Sequence, residues 1–271
     1  RRRAVGRAGA RAHPTMDRFV TVTAPSTPSA TAAPPEAERV LYEQRGARLL
    51  ERDFRKYKET IDIVVAEAKP LLIEKPRIRV MNQERRQQRD VGFFSDASSG
   101  YEYSGQIIPA QRLTTYMLAL LGILRKEYGV AFNGLLVNRY RDGTNYVSPH
   151  GDNEKGLDQS AGVVIVSWGV KRLFRLRKNA PHERPADPIV FKGVETRAYY
   201  ALQMAGERFQ KDLKHEVPQQ KKVTGERVSI TARLHLPAYE SMLEKIRARL
   251  AQQQQEQPQA GTKRPREEDE E

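Results

Sequence analysis

His150-Gly151-Asp152 sets an imidazole and a carboxylate two residues apart, just past the apolar run Gly134 to Tyr140 and the Asp142-Gly143 turn. Side chains at i and i+2 of extended chain point to the same face. A neutral imidazole and a carboxylate are two of the three groups in the facial triad that holds non-haem iron(II) and leaves positions open for substrate and oxygen. The chain has no cysteine, which excludes a disulfide scaffold, thiolate zinc sites, iron–sulfur clusters and a catalytic thiol in it. Any metal must therefore be held by His, Asp or Glu. His13 lies in a Pro- and Ala-rich arm, so His182, His215 and His235 are the candidates for a third ligand. Taken alone, an HxD pair is more simply a surface loop.

The run Arg227-Val228-Ser229-Ile230-Thr231-Ala232-Arg233-Leu234 alternates without exception. Val228, Ile230, Ala232 and Leu234 fall on one face of a strand, and Arg227, Ser229, Thr231 and Arg233 on the other. The polar face of such a strand commonly meets solvent. Beside an iron site, two guanidiniums and two hydroxyls would instead suit a small dianion such as 2-oxoglutarate, because Arg forks bind carboxylates in bidentate fashion. Spacing alone leaves both readings open.

These residues need a frame. Ala110 to Glu127 carries Leu113, Tyr116, Met117, Leu120, Leu121 and Leu124 on one helical face, a stripe read as core packing. Glu38 to about Tyr57 is charged and helix-prone, with Leu41, Leu49, Leu50 and Phe54 as its buried positions. From Phe132 onward the texture changes to short strands: Gly134 to Tyr140, Gly162 to Trp168, Leu173 to Arg177, Ile189 to Phe191, Tyr199 to Gln203 and Arg227 to Leu234. Helices first and many strands after predict an α+β fold, with an antiparallel double sheet or jelly roll supported by N-terminal helices.

Residues 1–39 are rich in Pro, Ala, Ser and Thr and read as a disordered arm, and 250–271 as a disordered charged tail, leaving 40–249 as the folded domain. Met16 reads as the start, with the Arg-rich residues 1–15 a gene-model extension or, alternatively, an organelle transit peptide. Lys263-Arg264-Pro265-Arg266 in the tail is a candidate nuclear import signal, against the plainer reading of a solvated charge run. With 47 Lys and Arg against 34 Asp and Glu, the formal charge is +13, and the excess belongs to the domain because the two tails nearly cancel. A body this basic favours an anionic partner such as nucleic acid. No apolar run approaches the roughly 20 residues that a bilayer requires, and no membrane partner is expected.

Four ordered motifs carry a resemblance. They are Asn138-Arg139-Tyr140-Arg141-Asp142-Gly143, His150-x-Asp152-x-Glu154, His215-Glu216-Val217-Pro218 and Arg227-x-Ser229-x-Thr231-x-Arg233. Together they resemble the AlkB family of iron(II)- and 2-oxoglutarate-dependent dioxygenases, over roughly residues 70–236. The gaps look most like the nuclear branch that acts on duplex DNA. The resemblance implies a double-stranded β-helix with iron(II) held by His150, Asp152 and His215. It implies Arg227, helped by Tyr140, at the distal carboxylate of 2-oxoglutarate, and Asn138 and Arg233 near the end that chelates the metal. Ser229 stands where relatives commonly have Asn. Glu154 matches the acid that reads the exocyclic amine of the damaged base.

Upstream, Tyr101, Tyr103 and Ser104 resemble the lid over a flipped base, with Tyr103 stacking on one side of it and His150 opposite. Met81 or Val80 stands where duplex-acting relatives insert a wedge, and Arg85, Arg86 and Arg89 follow as phosphate contacts, against a solvated basic loop. Arg18-Phe19-Val20 faintly resembles the peptide by which some relatives bind the replication sliding clamp. The implied reaction is oxidative demethylation of 1-methyladenine or 3-methylcytosine in DNA, consuming O2 and converting 2-oxoglutarate to succinate, with formaldehyde released. A monomer in the nucleus is expected. The rivals keep the chemistry on RNA or protein, or retain nucleic-acid binding without turnover.

Overall fold

The computed structural model describes residues 38–80, 83–104, 106–154 and 156–255. The chain opens with the strands β1 (Arg39–Gln44) and β2 (Ala47–Asp53), then helix α1 (Lys58–Ala68). A hairpin of β3 (Arg77–Val80) and β4 (Gln83–Arg86) leads to β5 (Asp90–Phe94), β6 (Gly100–Tyr103) and β7 (Gln106–Gln111). Helix α2 (Thr115–Tyr128) precedes β8 (Gly134–Tyr140), β9 (Val147–His150), β10 (Val163–Gly169), β11 (Arg172–Lys178), β12 (Ile189–Thr196) and β13 (Tyr200–Ala205). A short helix α3 (Phe209–Asp212), β14 (Leu213–Val217), β15 (Arg227–Arg233) and helix α4 (Ala238–Gln255) complete it.

Nine strands form one sheet in the order β1-β2-β13-β10-β15-β8-β5-β7-β6, and β12-β11-β14-β9 form a second. The large sheet is covered on both sides near its middle, where β10 presents two apolar faces. Val164 and Val166 of β10, with Val228, Ile230 and Ala232 of β15, pack against α1 and α2. Val163 and Ile165 face the other way, onto Phe174, Leu176 and Val217 of the small sheet. Two facing sheets with helices on one outer side are consistent with the expected jelly roll.

The α2 stripe is largely as read: Met117, Leu120, Leu121 and Leu124 are buried, while Tyr116 is exposed. The helix starts at Thr115 because the Thr114 hydroxyl caps it, accepting from the Met117 amide at 3.2 Å, and Ala110 and Gln111 belong instead to β7. Gly129 ends it at φ +69°, a conformation that favours glycine. The helix expected over Glu38 to Tyr57 is a correction: it is the β1–β2 hairpin, paired to β13 from Asp53–Tyr200 to Arg48–Ala205. Pairing overrides the helix propensity of its charged residues. Glu51, buried in β2, is bridged by Arg39 and Arg197. Met81 lies outside the described residues, as do Arg18-Phe19-Val20 and residues 256–271, while two boundaries are corrected: residues 250–255 of the expected tail are the end of α4, and Arg39 of the expected arm opens β1.

Candidate active site

Strand register builds the centre of the site. β9 and β14 pair with His150 directly opposite His215, which sets the two rings 4.2 Å apart at their centroids. Asp152 follows β9 and is fixed by its own backbone: its amide donates to Gln210 Oε1 at 2.8 Å, and its carbonyl accepts from Gln159 Nε2 at 3.1 Å. Its side chain, 1% exposed, lies 3.8 Å from His150 Nε2 and 3.9 Å from His215 Nε2. One ligand atom from each of the three falls within 4.8 Å of the others. The Nδ1 of His150 is 2.9 Å from the Ser148 carbonyl oxygen, which can only accept. Nδ1 therefore carries the proton, and the Nε2 lone pair faces Asp152.

Charge on these groups suits a cation. Burial pushes the Asp152 carboxyl up, but the Arg233 guanidinium at 2.7 Å and the two imidazoles outweigh it and hold it well below the carboxylate range. Burial lowers both imidazoles, His215 to about 3, so both are neutral in neutral solution. Two neutral nitrogens and one carboxylate oxygen on one side of a cavity are an iron(II) donor set with open positions.

The free space among these groups is narrow, about 30 Å³, and the polar face of β15 lines it. Arg227, Ser229, Thr231 and Arg233 are all buried, so the solvent-face reading of this strand is excluded. Arg227 donates from Nε to Thr196 Oγ1 at 3.0 Å and from Nη2 to Ser167 Oγ at 3.1 Å, and Nη1 has no partner. Burial lowers its pKa to about 10. Nε and Nη1 of Arg233 are also buried without a hydrogen bond. Orphaned guanidinium donors at two points of one cavity fit a ligand with two carboxylates.

Tyr140 lies under two guanidiniums, those of Arg227 at 5.3 Å and Arg172 at 5.5 Å. Arg172 is fully buried and donates to the carbonyls of Asp142, Asn145 and Pro218, tying together the loops that flank β9 and β14. Sequence reasoning missed Arg172, Thr196 and Ser167, which sit in or beside strands with nothing local to single them out. Asn138 also lines the cavity, and its Oδ1 accepts from Arg89 Nε at 2.8 Å. Arg89 is thus buried in the site, a correction to its expected place among phosphate contacts.

A second, open cleft of about 550 Å³ adjoins the first, bordered by Arg85, Arg86, Tyr103, Ser104, His150 and Glu154. Arg85 and Arg86 are exposed on β4, and Ser104 is exposed at φ +48°. Tyr103 meets the His150 ring edge-on, at 6.0 Å and 90°, rather than as the parallel pair that would sandwich a base. Tyr101 is buried: its hydroxyl donates to Glu154 Oε1 at 2.9 Å, and Arg233 lies over its ring at 5.0 Å. It supports Glu154 from within. Burial, then the nearby Asp152 charge, raises the Glu154 pKa to about 7.

These shifts set a pH dependence of stability. His150, His215 and His235 are lowered by burial, the last two to about 3, so at pH 5.5 the unfolded chain takes protons that the folded chain refuses. Glu154 acts oppositely, because the folded chain keeps its proton up to about pH 7. His215 and His235 against Glu154 leave a net uptake of about one proton on unfolding, to which His150 adds in the same direction, and stability is expected to fall by at least about 1 kcal/mol per pH unit below pH 6.5. Urea midpoints of metal-free protein at pH 7 and 5.5 check this; an equal or higher midpoint at pH 5.5 contradicts it.

A profile of the 2OG-Fe(II) oxygenase superfamily matches residues 48–233. The chain is 26% identical over 162 residues to the DNA oxidative demethylase ALKBH2 of Mus musculus, covering 59% of this chain and 67% of that protein. It is 29% identical over 185 residues to the ALKBH2 of Arabidopsis thaliana, covering 60% and 58%. To the alpha-ketoglutarate-dependent dioxygenase alkB homolog 3 of Bos taurus it is 29% identical over 122 residues, covering 45% and 43%. The chain thus spans only part of the length of these relatives.

Proposed function

Because the chain belongs to the 2OG-Fe(II) oxygenase superfamily and is of its AlkB type, we propose that it demethylates N-alkylated bases in DNA, with 1-methyladenine and 3-methylcytosine as substrates. The observation that carries the reading is the juxtaposition of His150, Asp152 and His215 with the unpartnered donors of Arg227 and Arg233 in one cavity that opens toward a cleft edged by Arg85 and Arg86. His150, Asp152 and His215 would hold iron(II). With 2-oxoglutarate and O2, the iron would supply oxidation of the N-alkyl carbon, giving succinate, CO2, formaldehyde and the intact base.

The protein's own part is binding, orientation and exclusion of water. Arg227 binds the distal carboxylate of 2-oxoglutarate beside Tyr140, while Asn138 and Arg233 border the end nearest the metal. Arg233 also keeps Asp152 ionised and aimed. Glu154, held by Tyr101, reads the exocyclic amine, and Tyr103 provides an aromatic surface for the base; such stacking is worth about 1–3 kcal/mol. Extruding the base costs a few kcal/mol, and least for a lesion that no longer pairs, so part of the selectivity lies in the DNA. Arg85 and Arg86 contact phosphates, which position the duplex without reading its sequence. Met81 as wedge, residues 40–249 as the catalytic domain, the nucleus as compartment and clamp binding through Arg18-Phe19-Val20 belong to the same proposal.

The test supplies purified protein with iron(II), 2-oxoglutarate and air to a duplex carrying one 1-methyladenine, and reads the base by mass spectrometry. Loss of one CH2 unit per succinate is expected. Succinate without base repair would move the substrate to RNA, another lesion or protein. Neither product from folded, iron-loaded protein would favour a nucleic-acid binder without turnover.

A further inference from the structure

Helix α4 lies against the substrate side of the molecule and touches both pieces of chain that form it. Tyr239, 0% exposed, packs with Leu243 of its own helix and with Leu157. Its hydroxyl accepts the Glu102 amide at 3.0 Å, and Glu102 sits between Tyr101 and Tyr103. β6 is the last strand of its sheet, so this amide stands at an edge where no further strand closes it. Its neighbour on the helix, Glu240, accepts from the Ser99 amide at 2.7 Å and from the Ser98 hydroxyl at 2.9 Å, where the chain enters β6. Arg247, two turns on, donates to Ser99 Oγ at 2.8 Å.

The residues that lead into this helix, and its first turn, hold the loop after Glu154. The Leu236 amide donates to the Gly156 carbonyl at 2.8 Å, and Leu157 bridges to His235. Gly156 has φ +90°, and a Cβ there would stand 2.7 Å from the Tyr239 Cα, so the loop passes directly over the start of α4. The two clamped pieces meet again at the Tyr101–Glu154 hydrogen bond.

We infer that α4 is a brace for the substrate face and that Tyr239 is a positioning residue, fixing the Tyr101–Tyr103 strand against the Glu154 loop. This rests on the reading of that cleft as the base site. Tyr239 makes no hydrogen bond or ring contact with His150, Asp152, His215, Asn138, Tyr140, Arg227 or Arg233; its ring packs edge-on against His235 at 4.8 Å. Its effect therefore separates base handling from cosubstrate turnover.

Tyr239→Phe in the full chain keeps the ring and removes only the acceptor. Losing one such hydrogen bond is expected to speed exchange of the Glu102 amide about tenfold and to lower kcat/KM for the methylated duplex about tenfold. KM for 2-oxoglutarate and succinate formation without nucleic acid stay as in the wild type. Glu240→Gln, which weakens the hold on Ser98 and Ser99, gives the same split more mildly and serves if Tyr239→Phe folds poorly. Glu244→Gln on the exposed side of α4 changes nothing. Unaltered Glu102 exchange overturns the brace. Unaltered demethylation, or a parallel fall in nucleic-acid-independent succinate, overturns the positioning role. If the wild type forms succinate but repairs no base, the proposed substrate fails, while faster Glu102 exchange still supports the brace.

Discussion

Replacing Asp152 by alanine is expected to cut turnover about a thousandfold or more while leaving affinity for a DNA duplex within a few-fold of wild type. Asp152 supplies the only negative charge among the three groups that would hold the metal. Without it two neutral imidazoles remain beside the Arg233 guanidinium, and a dication has no reason to stay. On the proposed reading, duplex affinity rests on exposed groups such as Arg85 and Arg86, whereas Asp152 is buried. The substitution also strands Arg233, whose pairing with Asp152 at 2.7 Å is buried, and breaking such a pair costs about 3–5 kcal/mol. The variant should therefore melt earlier, and lost activity could be mistaken for lost fold. Asp152→Asn combined with Arg233→Met separates the two: melting temperature recovers and turnover does not. Iron content, succinate yield and fluorescence anisotropy of a labelled duplex are the measurements. Turnover that survives in folded Asp152→Ala would remove Asp152 from the metal set and the proposed chemistry with it.

The parts of the frame legible in sequence were those whose burial is one-sided in a simple period. β15 alternates because one face meets α1 and α2 while the other lines a cavity, and α2 repeats every three or four residues because it has one sheet beneath it. The β1–β2 hairpin was misread for the opposite reason. β1 is an edge strand exposed at most positions, so its pattern carries little period-two signal, and the Arg and Glu residues on both strands favour a helix. β13 decides the matter, and it lies about 150 residues away. β5, Asp90-Val91-Gly92-Phe93-Phe94, is buried at every position and shows no alternation to find.

The site divides in a similar way. His150 and Asp152 are adjacent enough to be seen, but His215 came only through the family resemblance, since its pairing opposite His150 depends on strand register. Buried supports are less visible still. Arg172 and Thr196 reach Tyr140 and Arg227 from the other sheet, and Ser167 holds Arg227 from the neighbouring strand. Arg89 looks in sequence like one more member of a basic loop, yet it is drawn inward to Asn138 because the chain turns into β5 immediately after it.

Arg227→Met should weaken 2-oxoglutarate binding by about a hundredfold or more, and at the same time make the ligand-free protein more stable. The two effects share one cause. Arg227 is 1% exposed, and its hydrogen-bonding partners are the hydroxyls of Thr196 and Ser167, with no carboxylate among them. Arg172, close by over the same tyrosine, adds repulsion rather than relief. A guanidinium kept in such a place lowers stability until an anion arrives, and truncating one side of a buried charge pair typically costs about 2–5 kcal/mol in binding. Methionine fills the space without the charge, and replacement of buried ions by apolar groups is often stabilising by about 1–4 kcal/mol. Arg227→Lys, which keeps the charge but loses the fork that reaches Thr196 and Ser167 together, should fall between the two in affinity and gain no stability. Calorimetric titration of 2-oxoglutarate with manganese(II) in place of iron gives the affinity, and urea unfolding without ligand gives the stability. A variant that binds 2-oxoglutarate as well as wild type would mean that Arg227 serves the fold alone. One that loses both affinity and stability would mean that its hydroxyl partners, and not a bound anion, are the reason it is buried.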